Sequence, residues 1–236
     1  MISVIIPAYN EEAYLPRLLD TIDAARAAYS GEVEVIVADN QSTDSTAQIA
    51  HSRGCRVVNV ERRCIASARN GGAAAARGEV ICFVDADYRI DPQTFNVVAK
   101  AAADPRFVWG ATGALPERNS IGISATFFVL RLLFFITHGD IGVIFCRKAD
   151  FDALGGYSEK YLFAEDLAMI LAFRRFGNKT GRRLFRLNAA HAIMSTRKFD
   201  QHGDWHFLFF PRAWPIVFSR NGFRRYAEMY WYRPGR

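Results

Sequence analysis

Four short runs rich in β-branched and other apolar residues alternate with stretches of helical periodicity in the first ninety residues. That alternation limits the fold more than any other feature. The runs are Ile2-Ser3-Val4-Ile5-Ile6, Glu34-Val35-Ile36-Val37-Ala38, Arg56-Val57-Val58-Asn59-Val60 and Val80-Ile81-Cys82-Phe83-Val84. Their length and composition read as strands, the first of them fully buried. Between them, Leu15, Leu18, Leu19 and Ile22 recur at helical spacing and predict a helix over about 11–28. Ser42-Thr43-Asp44 offers N-caps for a helix through about 53, and an alanine-rich segment predicts one over about 65–77 with Gly78 as its cap. A β-α-β-α-β-α-β order implies a mostly parallel α/β sheet with helices on both faces. Such sheets bind ligands beyond the carboxyl ends of their strands. Residues 7–12, where Pro7 is expected to end the first strand, fall at such an end, as do 39–44 and 85–87. Three polar clusters therefore converge on one crevice.

The second half is less regular. A helix or strand is expected after Pro92, and strands over 107–112 and 141–146. The run from Phe127 to Ile136 is interrupted by Arg131 and is shorter than the ~20 apolar residues a bilayer span requires, so it reads as a buried or interfacial helix.

Asp85-Ala86-Asp87 closes the fourth strand. Carboxylates at i and i+2 of an extended chain point to the same side. One can hold a hard divalent cation, Mg²⁺ or Mn²⁺, while the other meets a sugar or ribose hydroxyl. The same triplet also serves as ordinary turn chemistry.

Charge is unevenly placed. Residues 1–173 carry 16 Lys/Arg against 21 Asp/Glu, whereas residues 174–236 carry 14 against 3. The basic end also contains Trp205, Phe210, Trp214, Phe218, Tyr226 and Trp231. This composition fits an anionic membrane surface or a phosphorylated acceptor, single-stranded nucleic acid, or a lid packing its rings on the core with arginines in solvent. No nucleic-acid partner is expected. The four cysteines (Cys55, Cys64, Cys82, Cys146) are scattered without metal-ligand spacing, which suits a reducing cytoplasm. No signal peptide is expected from the start of the chain.

Six motifs occur in order: Pro7-Ala8-Tyr9-Asn10-Glu11-Glu12, Asp39-Asn40-Gln41-Ser42-Thr43-Asp44, Ala68-Arg69-Asn70, Asp85-Ala86-Asp87, Gly155-Gly156-Tyr157 and Glu165-Asp166. Together they resemble a family 2 glycosyltransferase of the GT-A, Rossmann-like fold, over roughly residues 1–200. The resemblance implies a nucleotide-binding half over 1–90 and an acceptor half over 91–200. A basic, aromatic, helical or irregular extension follows over 201–236. It implies that Pro7, Ala8, Tyr9, Glu11 and Asp39 cradle the nucleotide, Tyr9 by stacking and Asp39 by accepting from a base imide. Arg69 approaches the nucleotide and Asn70 orders the crevice. Asp85 and Ala86 face the nucleotide or sugar, and Asp87 binds Mn²⁺ or Mg²⁺. Gly156 allows close backbone approach. Asp166 is the general base, with Glu165 orienting the acceptor or the helix start. Arg197 and Lys198 contact the diphosphate.

The implied reaction is metal-dependent, inverting transfer from a nucleoside diphosphate sugar, a UDP-sugar first among them. The acceptor would be a sugar, a glycolipid or a polyprenyl phosphate, and the protein would sit in the cytoplasm or peripherally on the inner face of its membrane. Polymer extrusion is not expected, because the Gln-X-X-Arg-Trp run and a transmembrane bundle are absent from the sequence. Asp91, before Pro92, reads as a cap. His191 is either a structural histidine or a further metal-side ligand. Two other readings stay open: a nucleotidyltransferase-like enzyme, and a non-catalytic module that binds nucleotide sugars.

Overall fold

A computed structural model describes residues 1–137, 139–160, 165–187 and 189–209. The first half follows the expected alternation: β1 (Ile2–Ala8), α1 (Leu15–Ala27), β2 (Val33–Asp39), α2 (Thr46–Ser52), β3 (Arg56–Asn59), α3 (Ile65–Ala75) and β4 (Val80–Phe83). Then come α4 (Thr94–Ala103), β5 (Phe107–Ala111), β6 (Ala114–Pro116), α5 (Ile121–Thr137), β7 (Ile144–Arg147) and α6 (Lys148–Ala153). The remaining described elements are α7 (Glu165–Thr180), β8 (Arg183–Arg186), β9 (Ala192–Met194), α8 (Arg197–His202) and α9 (His206–Phe209).

The central sheet has seven strands in the order β3-β2-β1-β4-β7-β5-β8. Strands β1 to β4 pair in parallel, and β7 is inserted antiparallel between β4 and β5. A second, two-stranded parallel sheet joins β6 to β9. Every residue of β1 is buried, as a central strand covered on both faces requires. One face packs Leu15, Leu18, Ile22 and Phe95 against Val4, Ile6 and Cys82. The other packs Ile5, Ile36, Phe83 and Trp109 against α3 and α7.

Small residues let α3 lie close to the sheet. Ala66, Ala68, Gly72 and Ala73 are buried, and a β-carbon at Gly72 would collide with the Ile5 side chain. That close approach carries Arg69, on the same helix, to the carboxyl edge of the sheet.

Three local expectations are corrected. Pro7 does not end β1, which runs to Ala8 in register with Asp39. At the last residues of a strand, proline's missing N–H removes little from the ladder. Gly78 does not cap α3, whose C-cap is Ala76 in extended conformation. Its role is close approach: its N–H donates to Ser3 Oγ at 2.8 Å, and a β-carbon there would lie 2.6 Å from that oxygen. Pro92 is followed by a helix, but Asp91 does not cap it: the N-cap is Gln93, and the Asp91 side chain accepts from the Gln93 N–H at 2.7 Å in the turn before it. Among the described residues no helix is long and apolar enough to cross a membrane. The part of the basic, aromatic extension over 210–236 lies outside the described residues.

Candidate active site

The loops after β1 and β2 are zipped together by polar side chains. The Asn10 N–H donates to Ser42 Oγ at 3.0 Å, and Asn10 Oδ1 accepts from the Thr43 N–H at 2.8 Å. The Glu11 N–H donates to Thr46 Oγ1 at 2.8 Å, and the Ser45 N–H to Glu12 Oε2 at 3.0 Å. Asn10 and Gln41 both adopt positive φ, 53° and 67°, which places the turns. The Glu12 N–H donates to Asp44 Oδ2 at 3.1 Å, so Asn10, Ser42 and Asp44 are used in shaping the loops. Asp39 ends β2 and accepts from the Ser42 N–H, three residues on, at 3.2 Å through one oxygen. Asn40 holds residues 60–64 by donating to the Val60 and Arg62 carbonyls at 2.9 and 2.7 Å and accepting from the Cys64 N–H. This brings the Arg63 guanidinium over the Tyr9 ring, 5.2 Å from its centroid. Pro7, Ala8, Tyr9 and Asp39 thus lie along one edge of the crevice.

The floor is built around Arg69. Its Nη1 donates to Asp166 at 2.7 Å and to Glu165 at 3.2 Å, and its Nη2 donates to Asp85 at 3.0 Å. The guanidinium lies over the Tyr157 ring, 5.1 Å from the centroid. Tyr157 is itself fixed. Its backbone N–H donates to Asn70 Oδ1 at 2.8 Å, its carbonyl accepts from Asn70 Nδ2 at 2.9 Å, and its ring packs edge-on against Phe83. Gly156, at φ 74°, leaves the space that Asn70 uses: a β-carbon there would lie 2.7 Å from Asn70 Oδ1.

Three carboxylates around one buried cation leave excess negative charge. Burial, then the neighbouring Asp166, pushes Glu165 up to about 7, with Arg69 opposing. Burial likewise raises Asp166, again opposed by Arg69. About a third of the Asp166 side chain still meets solvent, at 36%. It therefore faces the open crevice from the first turn of α7.

The second cluster joins β1's loop to α8. Arg197 grips Glu11 with both terminal nitrogens, at 2.7 and 2.6 Å, and its Nε lies 3.0 Å from Asp87 Oδ2. Its guanidinium also covers the Tyr14 ring at 4.6 Å. Burial pushes Asp87 up to about 7; Arg197 opposes this, while Glu11 and Asp85 reinforce it.

The residues present fit a hard divalent cation. Mg²⁺ and Mn²⁺ are commonly held through one or two carboxylates plus substrate phosphate oxygens rather than a cage of protein ligands. Asp87, largely enclosed beside Glu11 and Asp85, would supply such a carboxylate. No group of three or more His, Cys, Asp or Glu side chains that could hold a metal occurs among the described residues. His191 sits beside Gly113, outside any such cluster.

The structure therefore brings together Asp85, Arg69, Glu165 and Asp166 in one cluster, and Glu11, Asp87 and Arg197 in another. Ala86 is buried between the two aspartates, and Lys198 follows Arg197 on α8. Sequence reasoning assigned no role to Tyr14, Tyr157 or Glu159. Glu159 bonds Arg62 and lies within hydrogen-bond reach of Asn70. Only Tyr157 stood in a recognised motif. Tyr14 and Glu159 carry no local signal.

This sheet order, with an aspartate pair after β4 and an acid pair at the head of α7, defines the GT-A class. The chain belongs to glycosyl transferase family 2, whose family model matches residues 3–203. It is 33% identical over 123 residues to undecaprenyl-phosphate 4-deoxy-4-formamido-L-arabinose transferase of Pseudomonas paraeruginosa, covering 47% of this chain and 35% of that one. The chain spans about a third of the length of the curated relatives it matches. Its fold is similar to that of S. aureus TarS 1-349 in complex with UDP-GlcNAc (TM-score 0.65, 20% identity, 93% of this chain and 67% of that one). It is also similar to that of the mannosyltransferase PcManGT from Pyrobaculum calidifontis in complex with GDP-Man and Mn2+ (TM-score 0.60, 21% identity, 82% and 56%).

Proposed function

We propose that the chain transfers a sugar, with inversion, from a UDP-sugar to an acceptor hydroxyl or lipid phosphate. The observation that carries this reading is the meeting of Asp166 and Asp85 on the two sides of Arg69, at 2.7 and 3.0 Å. A base and a donor-side acid thereby share one crevice at the strand ends. Pro7, Ala8, Tyr9 and Asp39 bind the nucleoside, and Asp85 and Ala86 meet the ribose or sugar. Gly156 keeps the backbone close to the sugar.

Asp166 takes the proton from the acceptor hydroxyl. The acceptor oxygen bonds the anomeric carbon as the bond to the diphosphate breaks, and the diphosphate leaves with the electron pair. A lipid-phosphate acceptor arrives already ionised and needs no proton removed. A raised carboxylate in a partly enclosed site suits a base working near neutral pH. Glu165 orients the acceptor, and Arg197 and Lys198 face the diphosphate. A divalent cation held by Asp87 and substrate phosphates would neutralise the leaving group.

The UDP-GlcNAc and GDP-Man of the two solved structures support a nucleotide-sugar donor, and the Mn2+ of one supports a metal. The name of the undecaprenyl-phosphate relative supports a lipid acceptor. Calorimetric titration with UDP, GDP and dTDP, each with Mn²⁺, Mg²⁺ or EDTA, tests the reading. Metal-dependent binding of UDP is expected, and absence of binding by all three nucleotides would overturn it.

A further inference from the structure

Helix α5 presents its apolar residues in two directions. Its inner face buries Ile123, Thr126, Phe134 and Thr137 against the protein. Its outer face should then be polar, as on most surface helices. Instead Ile121, Phe128, Leu132 and Ile136 stand 81, 71, 55 and 62% exposed, and Val129 and Leu133 widen the stripe. The spacing 128, 132, 136 with 129, 133 is that of one helical face. The helix contains no acid, and its single charge is Arg131, exposed beside the stripe. A continuous apolar patch of this kind marks an interaction surface.

Charge identifies the partner. Helix α9 packs against α5, and the chain that leaves α9 carries six arginines and one glutamate over residues 210–236. The excess of Lys and Arg thus lies in the sequence that follows α5, 14 against 3 Asp/Glu over residues 174–236, and Arg174 donates to the Ile136 carbonyl at the end of the apolar, aromatic stripe at 3.1 Å. That pairing matches an anionic lipid surface, into which an amphipathic helix lies flat with its apolar side down. A second copy of the chain would instead bring two strongly basic ends together. A helix of 17 residues, roughly 25 Å long, suits lying in the interface. The surface is also joined to the crevice. Arg118, just before α5, bonds Asp200 on α8 at 2.8 Å and Asp204 at 2.7 Å, and α8 begins with Arg197.

We propose that the outer face of α5 docks on an anionic lipid bilayer, lying in its interfacial plane. The inference is independent of the transfer reaction, because its readout is lipid binding.

Sedimentation of the full chain with vesicles of phosphatidylglycerol and phosphatidylcholine, against phosphatidylcholine alone, tests it. Binding to the anionic vesicles is expected to exceed binding to the neutral ones at least tenfold. The double variant F128E/L132E should lose at least tenfold. Equal binding to both vesicles, no binding, or undiminished binding of the variant overturns the proposal. A second readout does not depend on that variant. All four native cysteines are buried, so an environment-sensitive fluorophore attached to F128C reports this face alone. A blue shift on adding anionic vesicles is expected. Emission already blue-shifted without vesicles and unchanged by them would mean that residues 210–236 or a second copy cover the face, and would overturn the proposal.

Discussion

Arg69 donates to Asp166 at 2.7 Å across 97 residues of sequence, while its other terminal nitrogen holds Asp85 at 3.0 Å. One buried guanidinium therefore sets the spacing between the end of β4 and the start of α7. It also supplies the positive charge that lets two or three acids sit together. Truncating one partner of a buried ion cluster leaves the others unpaired, which typically costs about 3–5 kcal/mol. R69A is expected to lower stability by about that amount in urea denaturation. R69K should recover only part of it, since an ammonium lacks the planar fork that reaches both sides. A loss under about 1 kcal/mol for R69A would mean that water replaces the guanidinium easily.

D166N keeps the shape of the side chain and removes its basicity. Turnover with a hydroxyl acceptor should fall by about 10²–10⁴. Affinity for the nucleoside diphosphate should stay within about threefold, because the general-base contribution acts on the acceptor proton. Steady-state kinetics beside calorimetry separates the two. Undiminished turnover removes Asp166 as base.

Arg197 joins Glu11 to Asp87, and two roles follow with opposite signs. As a diphosphate ligand it strengthens donor binding, so R197A should weaken UDP by about tenfold or more, the equivalent of one hydrogen bond to a charged group. A counter-ion occupying the place of the metal would give the reverse, tighter binding of UDP with Mn²⁺ in R197A. Titration of the variant with and without Mn²⁺ decides between them, and the weakening is expected.

Asp87 and Glu165 both sit near 7, well above free carboxylates. Metal needs Asp87 ionised. Apparent affinity for Mn²⁺ with UDP should therefore rise with pH through about 7 and level off above it. Calorimetry in buffers of different ionisation enthalpy should show proton release at pH 6 that fades by pH 8.5. The same shifts affect folding. The folded protein holds more protons than the unfolded chain between about pH 4 and 7, so these two groups make the metal-free protein less stable as pH rises through that window. Melting temperatures over pH 5–8 check the direction.

Gly155 and Gly156 have similar φ, 76° and 74°, but different surroundings. Alanine at either position adopts a left-handed backbone at about 1 kcal/mol or more. At Gly156 the added carbon also meets Asn70, whereas at Gly155 nothing lies within 4 Å. G156A should lower the melting temperature more than G155A, and it alone should impair turnover, because Asn70 positions Tyr157 beneath Arg69.

Local chemistry made much of the molecule legible. Short β-branched runs broken by polar residues can hardly form anything but strands, and their alternation with helices requires parallel crossovers. That reasoning reaches β1 to β4, α1 to α3 and the placing of 7–12, 39–44 and 85–87 at one edge, because each rests on neighbours within one turn or one strand. It erred at Pro7 and Gly78, where the deciding partner lies on another strand: Ala38 for the first, Ser3 for the second. The antiparallel β7 gave no sign of its direction, since a strand of four residues, three of them buried, reads the same both ways.

The sequence by itself determined the alternation of elements and the presence of acids at the strand ends. Only the tertiary structure decided which charges meet. Arg69 finds Asp166 because close packing of α3 on the sheet fixes where its side chain ends, and Arg197 finds Glu11 across 186 residues. Ion pairing acts over a few ångströms of space, and spacing along a chain does not encode it. The outward apolar face of α5 is the same case. Its residues read as a buried or interfacial helix, and the fold shows that the core needs only one side of it.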